Sequence, residues 1–191
     1  MRKRLLLLAM VLAVAVLGCG KKSEETSEVS KKEVKTEQSL GKNKSECSPG
    51  YNFSLTTTGG KKVSLSDLKG KVVVLQFFGE YCPTCLKEIP YLNRLYEKYK
   101  GKMVVLGMNT DYEGAPPPRL KRFVKEKGIK YPVVVVDGKT WMNYPGFFTG
   151  SDIIPQTFFL DKEGNVCYYG VGFAPGDEMK YKTAIERLLQ G

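Results

Sequence analysis

The stretch VVVLQFFGEYCPTCLKEIP, Val72 to Pro90, decides how the rest of the chain is read. Its first seven residues form an almost unbroken apolar run, the pattern of a strand covered on both faces in the middle of a sheet. After two cysteines three positions apart the spacing turns helical: Leu92, Leu95, Tyr96 and Tyr99 share one face, and Gly101 supplies a stop. A strand thus delivers the chain directly into Cys82-Pro83-Thr84-Cys85, and a helix carries it away.

Outward from that segment, strands and helices alternate. Phe53–Thr57 and Val63–Leu65 flank Gly59-Gly60 and read as an N-terminal β-hairpin. Met103–Met108 and Val133–Val136 read as further strands, with a helix from about Arg119 to Lys127 between them, entered through a proline-rich connector. Thr157–Leu160 and Val166–Val171 straddle Asp161–Asn165 as a second hairpin, and a helix from about Asp177 to Leu189 closes the chain. The expected fold class is α/β, a mixed sheet with helices on both faces.

The first 46 of the 191 residues are of another kind. Arg2, Lys3 and Arg4 precede thirteen apolar residues, Leu5 to Leu17, a layout of an export signal and too short for a comfortable membrane span. The signal ends in Val16-Leu17-Gly18-Cys19, which resembles the bacterial lipobox and implies lipidation of Cys19. The alternatives are an uncleaved anchor or a plain secretory signal. Residues 20–46, with seven lysines, six glutamates and almost no large apolar side chains, are expected to be a flexible tether. That leaves 47–191 as one folded domain, working outside the cytoplasm at a membrane surface.

The chain carries a net charge of +10, but beyond Glu46 there are 20 basic and 14 acidic residues, spread along the sequence. That is solvated surface, and no nucleic-acid partner is expected. Histidine is absent, which removes imidazole bases, Cys-His nucleophile pairs and histidine metal sites.

A close cysteine pair in an exported protein admits three readings. A metal site needs further soft ligands, and no second CxxC or histidine accompanies this one, so no metal is expected. A structural disulfide closing so short a loop would stabilise little. The redox reading explains more. A sulfur at the start of a helix lies among unpaired N–H groups at the positive end of the dipole, which favours thiolate and makes Cys82 the nucleophile. Cys85, one turn deeper, would resolve the mixed disulfide. Pro83 suits the first turn because it has no N–H to leave unpaired.

The strand-to-CxxC junction, Cys82-Pro83-Thr84-Cys85, Pro90, and Ile154-Pro155-Gln156-Thr157-Phe158-Phe159-Leu160 together resemble the thioredoxin superfamily, and within it the extracytoplasmic TlpA/ResA-like thiol-disulfide oxidoreductases. The resemblance covers Phe53 to Leu189. It implies a thioredoxin-like fold, a cis Pro155 packed beside the active-site cysteines, and pairing of the Ile154 backbone with a bound substrate peptide, with Tyr81 and Pro83 flanking that site. It implies that Glu88 relays protons; the competing reading is a glutamate on the helix surface, while partial burial would raise its pKa to a useful range. It implies protein disulfides as substrates, apocytochrome c among them, electrons from a membrane thiol carrier, and no organic cofactor. Two positions depart from the thioredoxin pattern: Tyr81 stands where tryptophan usually precedes the first cysteine, and Gln76 where cytoplasmic thioredoxins bury an aspartate.

Cys47 and Cys167 remain. With Cys19 lipidated the count is even, which favours a structural disulfide over two buried thiols or a second redox pair. Rival functions are a peroxiredoxin-like peroxidase, which would need a threonine where Gly79 stands, a Sco-type copper chaperone, which would need CxxxC and a histidine, and a non-catalytic binding module on the same fold.

Overall fold

The computed structural model describes residues 47–191; the signal, Cys19 and the tether lie outside the described residues. In chain order the elements are β1 (Ser48–Pro49), β2 (Ser54–Thr56), β3 (Lys62–Ser64), β4 (Val72–Phe78), α1 (Pro83–Lys98), β5 (Met103–Asn109), α2 (Pro118–Glu126), β6 (Val133–Val135), α3 (Gly138–Trp141), β7 (Gln156–Leu160), β8 (Asn165–Val171) and α4 (Asp177–Gln190). Six strands form one mixed sheet in the order β1-β8-β7-β4-β5-β6, and β2 and β3 pair separately as the hairpin.

The apolar run at Val72–Phe78 becomes the central strand because it can be covered everywhere: all seven residues of β4 are buried. It pairs parallel to β5 and antiparallel to β7, and the crossovers through α1 and α2 join β4, β5 and β6 as parallel neighbours. Strand alternation divides the core in two. Val72, Val74 and Phe78 face Leu92, Leu95, Phe123, Tyr181 and Ile185 from α1, α2 and α4, whereas Val73, Leu75 and Phe77 face Phe53, Leu55, Leu65 and Tyr144. The three longer helices therefore cover one face, and the hairpin with the α3 region covers the other.

That α3 region has no counterpart in the sequence reading. After α3 the chain winds into a wider, π-helical stretch, Met142–Thr149, which ends where Gly150, at φ 61°, donates its N–H to the Pro145 carbonyl at 2.9 Å. The stretch holds Pro145 and Gly146 and lacks a 3.6-residue apolar period, so packing must hold it. Tyr144 is wholly buried among the rings of Phe53, Phe77, Phe148 and Phe158 and donates its hydroxyl to the Tyr51 carbonyl at 3.0 Å. β1 also falls where no strand is expected from sequence; it pairs Ser48 with Val166.

Candidate active site

β4 ends at Phe78, and Glu80 ties the segment that follows to the loop after β5. Gly79 has no room for a side chain: a Cβ there would meet Asp111 Oδ1 at 2.8 Å and the Ile154 side chain at 3.1 Å. The Glu80 N–H donates to Asp111 Oδ2 at 2.6 Å, and Asn109 Nδ2 donates to the same oxygen at 3.0 Å. The Glu80 side chain is buried, accepting from the Tyr112 hydroxyl at 2.9 Å and from Arg119 Nε at 3.1 Å. Arg119 also lays its guanidinium over the ring of Tyr81, 5.2 Å from the centroid, although Tyr81 itself is 77% exposed.

Held in this way, Cys82 is the residue that caps α1. Its backbone is extended (φ −89°, ψ 105°), Pro83 opens the first turn, and its Sγ accepts the Cys85 N–H at 3.1 Å. The sulfur thus occupies the place of a capping oxygen at the positive end of a 16-residue helix, the setting that favours a thiolate. Cys82 is partly exposed and Cys85 fully buried, and the two are bonded to each other. Across the sulfur lies the carbonyl of Ile154, 3.6 Å from Cys82 Sγ, at the cis Ile154–Pro155 bond. Bridged to Cys85, the sulfur has no hydrogen to donate, so this is a contact and leaves the carbonyl open.

One turn beyond Cys85, Glu88 is completely buried, deeper than the partial burial expected from sequence. Its Oε1 accepts from Thr157 Oγ1 at 2.6 Å and its Oε2 from Gln76 Nε2 at 2.7 Å; the Gln76 carbonyl oxygen in turn accepts from the Tyr131 hydroxyl at 2.7 Å. Burial pushes the Glu88 carboxyl up to about 7, against the lowering effect of the hydrogen bonds from Thr157 and Gln76. The Tyr131 hydroxyl is raised by its own burial and by the nearby Glu88 charge, so it stays protonated and donating at neutral pH.

The sheet register explains why this polar group forms. Gln76 and Thr157 are direct neighbours on β4 and β7, on the face that α1 covers, and the row continues to Gly107 on β5 and Gly170 on β8. The two glycines leave space at its ends. A Cβ on Gly107 would meet the Tyr131 ring at 3.2 Å, and one on Gly170 would lie 3.5 Å from the Tyr181 hydroxyl. Of the residues singled out from sequence, the structure brings together Tyr81, Cys82, Pro83, Cys85, Glu88, Ile154 and Pro155. Gln76, noted only as a missing aspartate, is a direct partner of Glu88; Thr157, read only as part of the motif around Pro155, and Tyr131 were not singled out as site residues.

Cys47 and Cys167 lie elsewhere, bonded at 2.05 Å between the start of the domain and β8. Asp161 lies near enough to both sulfurs for all three to offer metal-ligand atoms within 4.8 Å. The sulfurs are spent on each other, however, and the Asp161 carboxylate accepts from the Glu163 and Asn165 N–H groups and from Asn165 Nδ2.

The family model for Redoxin matches residues 44–185. The chain belongs to that family. Among curated proteins it is 38% identical to the thiol-disulfide oxidoreductase ResA of Bacillus thuringiensis (strain Al Hakam) over 122 residues, 63% of this chain and 66% of that one. It is 35% identical to ResA of Bacillus subtilis (strain 168) over 125 residues, 64% of this chain and 65% of that one. The match therefore spans just under two thirds of these relatives' length. Among solved structures it is similar to a thioredoxin family thiol:disulfide interchange protein of Chlorobium tepidum TLS, with a TM-score of 0.65 and 28% identity over 75% of this chain and 97% of the other. A DsbF homologue from Corynebacterium diphtheriae aligns with a TM-score of 0.67 and 27% identity over 80% and 93%. The fold is thioredoxin-like and the chain a TlpA/ResA-like member of that superfamily.

Proposed function

We propose that this protein is a thiol-disulfide oxidoreductase that reduces disulfides of extracytoplasmic proteins through Cys82 and Cys85. The observation that carries the reading is the partly exposed Cys82 sulfur capping α1, bonded to a buried Cys85 one turn above a buried carboxyl. In the reduced protein, the Cys82 thiolate attacks a substrate disulfide and expels one substrate thiolate, forming a mixed disulfide. Cys85 then loses its proton to Glu88 and attacks Cys82, so the second substrate sulfur leaves with the electron pair of the broken bond. Two electrons pass to the substrate and the Cys82–Cys85 bridge remains, with no organic cofactor in the cycle.

The open Ile154 carbonyl would pair with the extended backbone of the substrate, as the family resemblance implies for the residue before Pro155. Tyr81 and Ile153, both largely exposed, would flank it with apolar surface. The finer assignments rest on the resemblance and on the sequence before Cys47: a lipid anchor at Cys19, electrons from a membrane thiol carrier, and apocytochrome c as a client. No helix among the described residues is long and apolar enough to cross a membrane. The deciding experiment traps the intermediate. Replacing Cys85 with alanine should accumulate a mixed disulfide on Cys82, and identifying the bound protein names the client. Insulin reduction at the uncatalysed background rate by wild type and Cys82→Ser alike would overturn the reading in favour of a non-catalytic module.

A further inference from the structure

Glu88 can take the Cys85 proton only when it is ionised, yet it is wholly buried, and burial favours the neutral acid. What opposes burial is the set of groups that donate to it: Thr157 at 2.6 Å and Gln76 at 2.7 Å, with the Tyr181 hydroxyl beside them. These groups are not equivalent. The hydroxyls of Thr157 and Tyr181 can donate or accept by turning about one bond, so they suit carboxylate and carboxylic acid alike. A side-chain amide has a donor at one end and an acceptor at the other, and the end that meets Glu88 decides which form is favoured.

Left alone, the Gln76 amide would follow the carboxyl. Half a turn about its last bond exchanges Oε1 and Nε2 at nearly the same positions, so it would donate to a carboxylate and accept from a carboxylic acid. Tyr131 removes that freedom. Its hydroxyl donates to Gln76 Oε1 at 2.7 Å, its one hydrogen bond among the described residues. With the amide reversed, an N–H would face the phenol, and the buried phenolic proton would lose its acceptor. The phenol is itself held from two sides. Asn93 on α1 accepts from the Lys130 N–H at 2.9 Å and donates to the Gly128 carbonyl at 2.8 Å, and Tyr96 on the same helix meets the Tyr131 ring edge-on, 6.3 Å between centroids. On β5, Gly107 donates its N–H to the Pro132 carbonyl at 2.9 Å and, lacking a Cβ, leaves the ring its space.

We propose that Tyr131 is a positioning residue for Glu88: by fixing the Gln76 amide with its nitrogen toward the carboxyl, it keeps that carboxyl ready to take the Cys85 proton. Tyr131 touches neither sulfur and passes no proton itself; it acts through Gln76 alone. The charged and titratable groups facing Glu88 are Cys85 on its own helix, Tyr131 through Gln76, and Tyr181 and Asp177 from α4. The inference rests on the oxidoreductase reading for its purpose, but its test does not require thiol chemistry.

The test follows the Glu88 carboxyl in the oxidised full-length protein, where the bridged cysteines do not titrate. The C=O stretch of the neutral acid, the infrared band lost in Glu88→Gln, should disappear in wild type with a midpoint at about pH 7. In Tyr131→Phe, which removes only the hydroxyl, the midpoint should rise by about one pH unit, about tenfold in proton affinity, because the freed amide turns to accept from the acid. Gln76→Met, which has neither end of the amide, should also raise it, and adding Tyr131→Phe to Gln76→Met should change it no further. A merely loosened core would admit water and move the midpoint down toward 4.5. A midpoint in Tyr131→Phe that is unchanged or lower, or a rise that persists undiminished on the Gln76→Met background, overturns the proposal. Should Tyr131→Phe fail to fold, Gln76→Met alone decides it, and an unchanged or lower midpoint there overturns it. In turnover, the inflection in mixed-disulfide resolution should move up with the midpoint, slowing that step about fivefold at pH 7 in Tyr131→Phe. A wild type that reduces no disulfide would strike the oxidoreductase reading and leave the infrared measurement intact.

Discussion

Two disulfides are closed in this domain, Cys82–Cys85 across a sequence separation of 3 and Cys47–Cys167 across 120, and their surroundings divide their roles. The short loop removes few conformations from the unfolded chain, whereas the long one removes many. The short bridge has one partly exposed sulfur at a helix start, an open carbonyl across from it, and a buried carboxyl one turn below. The long bridge has a buried Cys167, a neighbouring β1–β8 pairing, and no helix terminus to stabilise a thiolate. A disulfide's chemistry is thus set by what its sulfurs would face if the bond were opened.

The largest effect that could break this contrast is on activity. Cys82→Ser should reduce disulfide-reductase turnover to the uncatalysed background, a loss of about 10³-fold or more, because no other group at the site can form the mixed disulfide. Its stability to urea should fall by only about 2 kcal/mol, since the loop it closes is so short. Cys167→Ala should show the reverse: activity retained at low temperature, and stability lower by about 4 kcal/mol. Equal stability losses from the two variants would remove the distinction.

Glu88→Gln sharpens the comparison through pH. The carboxyl is pushed up to about 7 in the folded protein, above its ordinary value of 4.5, so folding favours its protonated form. Its contribution is therefore fully present below pH 4.5 and is lost as the pH rises through 7, over which stability should fall by about 3 kcal/mol relative to Glu88→Gln. Denaturation curves of both proteins at pH 5 and pH 8 measure this, and parallel pH dependences would sink it. Activity runs the other way. Only the ionised carboxylate can accept the Cys85 proton, so resolution of the mixed disulfide should accelerate through pH 7 in wild type and lose that inflection in the variant.

Much of this was legible before any coordinates. The run Val72–Phe78, the helix that follows Cys82 and the terminal hairpin are local patterns of period and turn chemistry, and the structure places each within a residue or two. The resemblance extended that reading to Pro155 and Glu88. What stayed hidden depends on register between distant strands. Alternation puts Gln76 on the α1 face, but only the β4–β7 pairing sets it beside Thr157, and only Gly107 and Gly170 make room for the two tyrosines. The segment Gly138–Thr149 was hidden for a different reason: Tyr144 and its neighbours pack as a ring cluster without a helical period.

The smallest predicted effect concerns what holds Cys82 in place, since its own disulfide spans too little chain to do so. The Glu80 carboxylate is buried under Arg119, whose side chain is 52% exposed, and the same guanidinium covers Tyr81. Arg119→Ala leaves Glu80 with Tyr112 as its remaining side-chain donor, a loss that solvent around the arginine limits to about 1–2 kcal/mol of stability. Because the clamp positions the loop and its exposed ring without touching either sulfur, the variant should raise KM several-fold and change kcat little. Arg119→Lys should recover only part, because a single ammonium cannot both pair with Glu80 and lie flat over the ring. Should KM stay unchanged while stability drops, the clamp would be a brace for the fold alone, and Tyr81 would have no part in holding substrate beside Cys82.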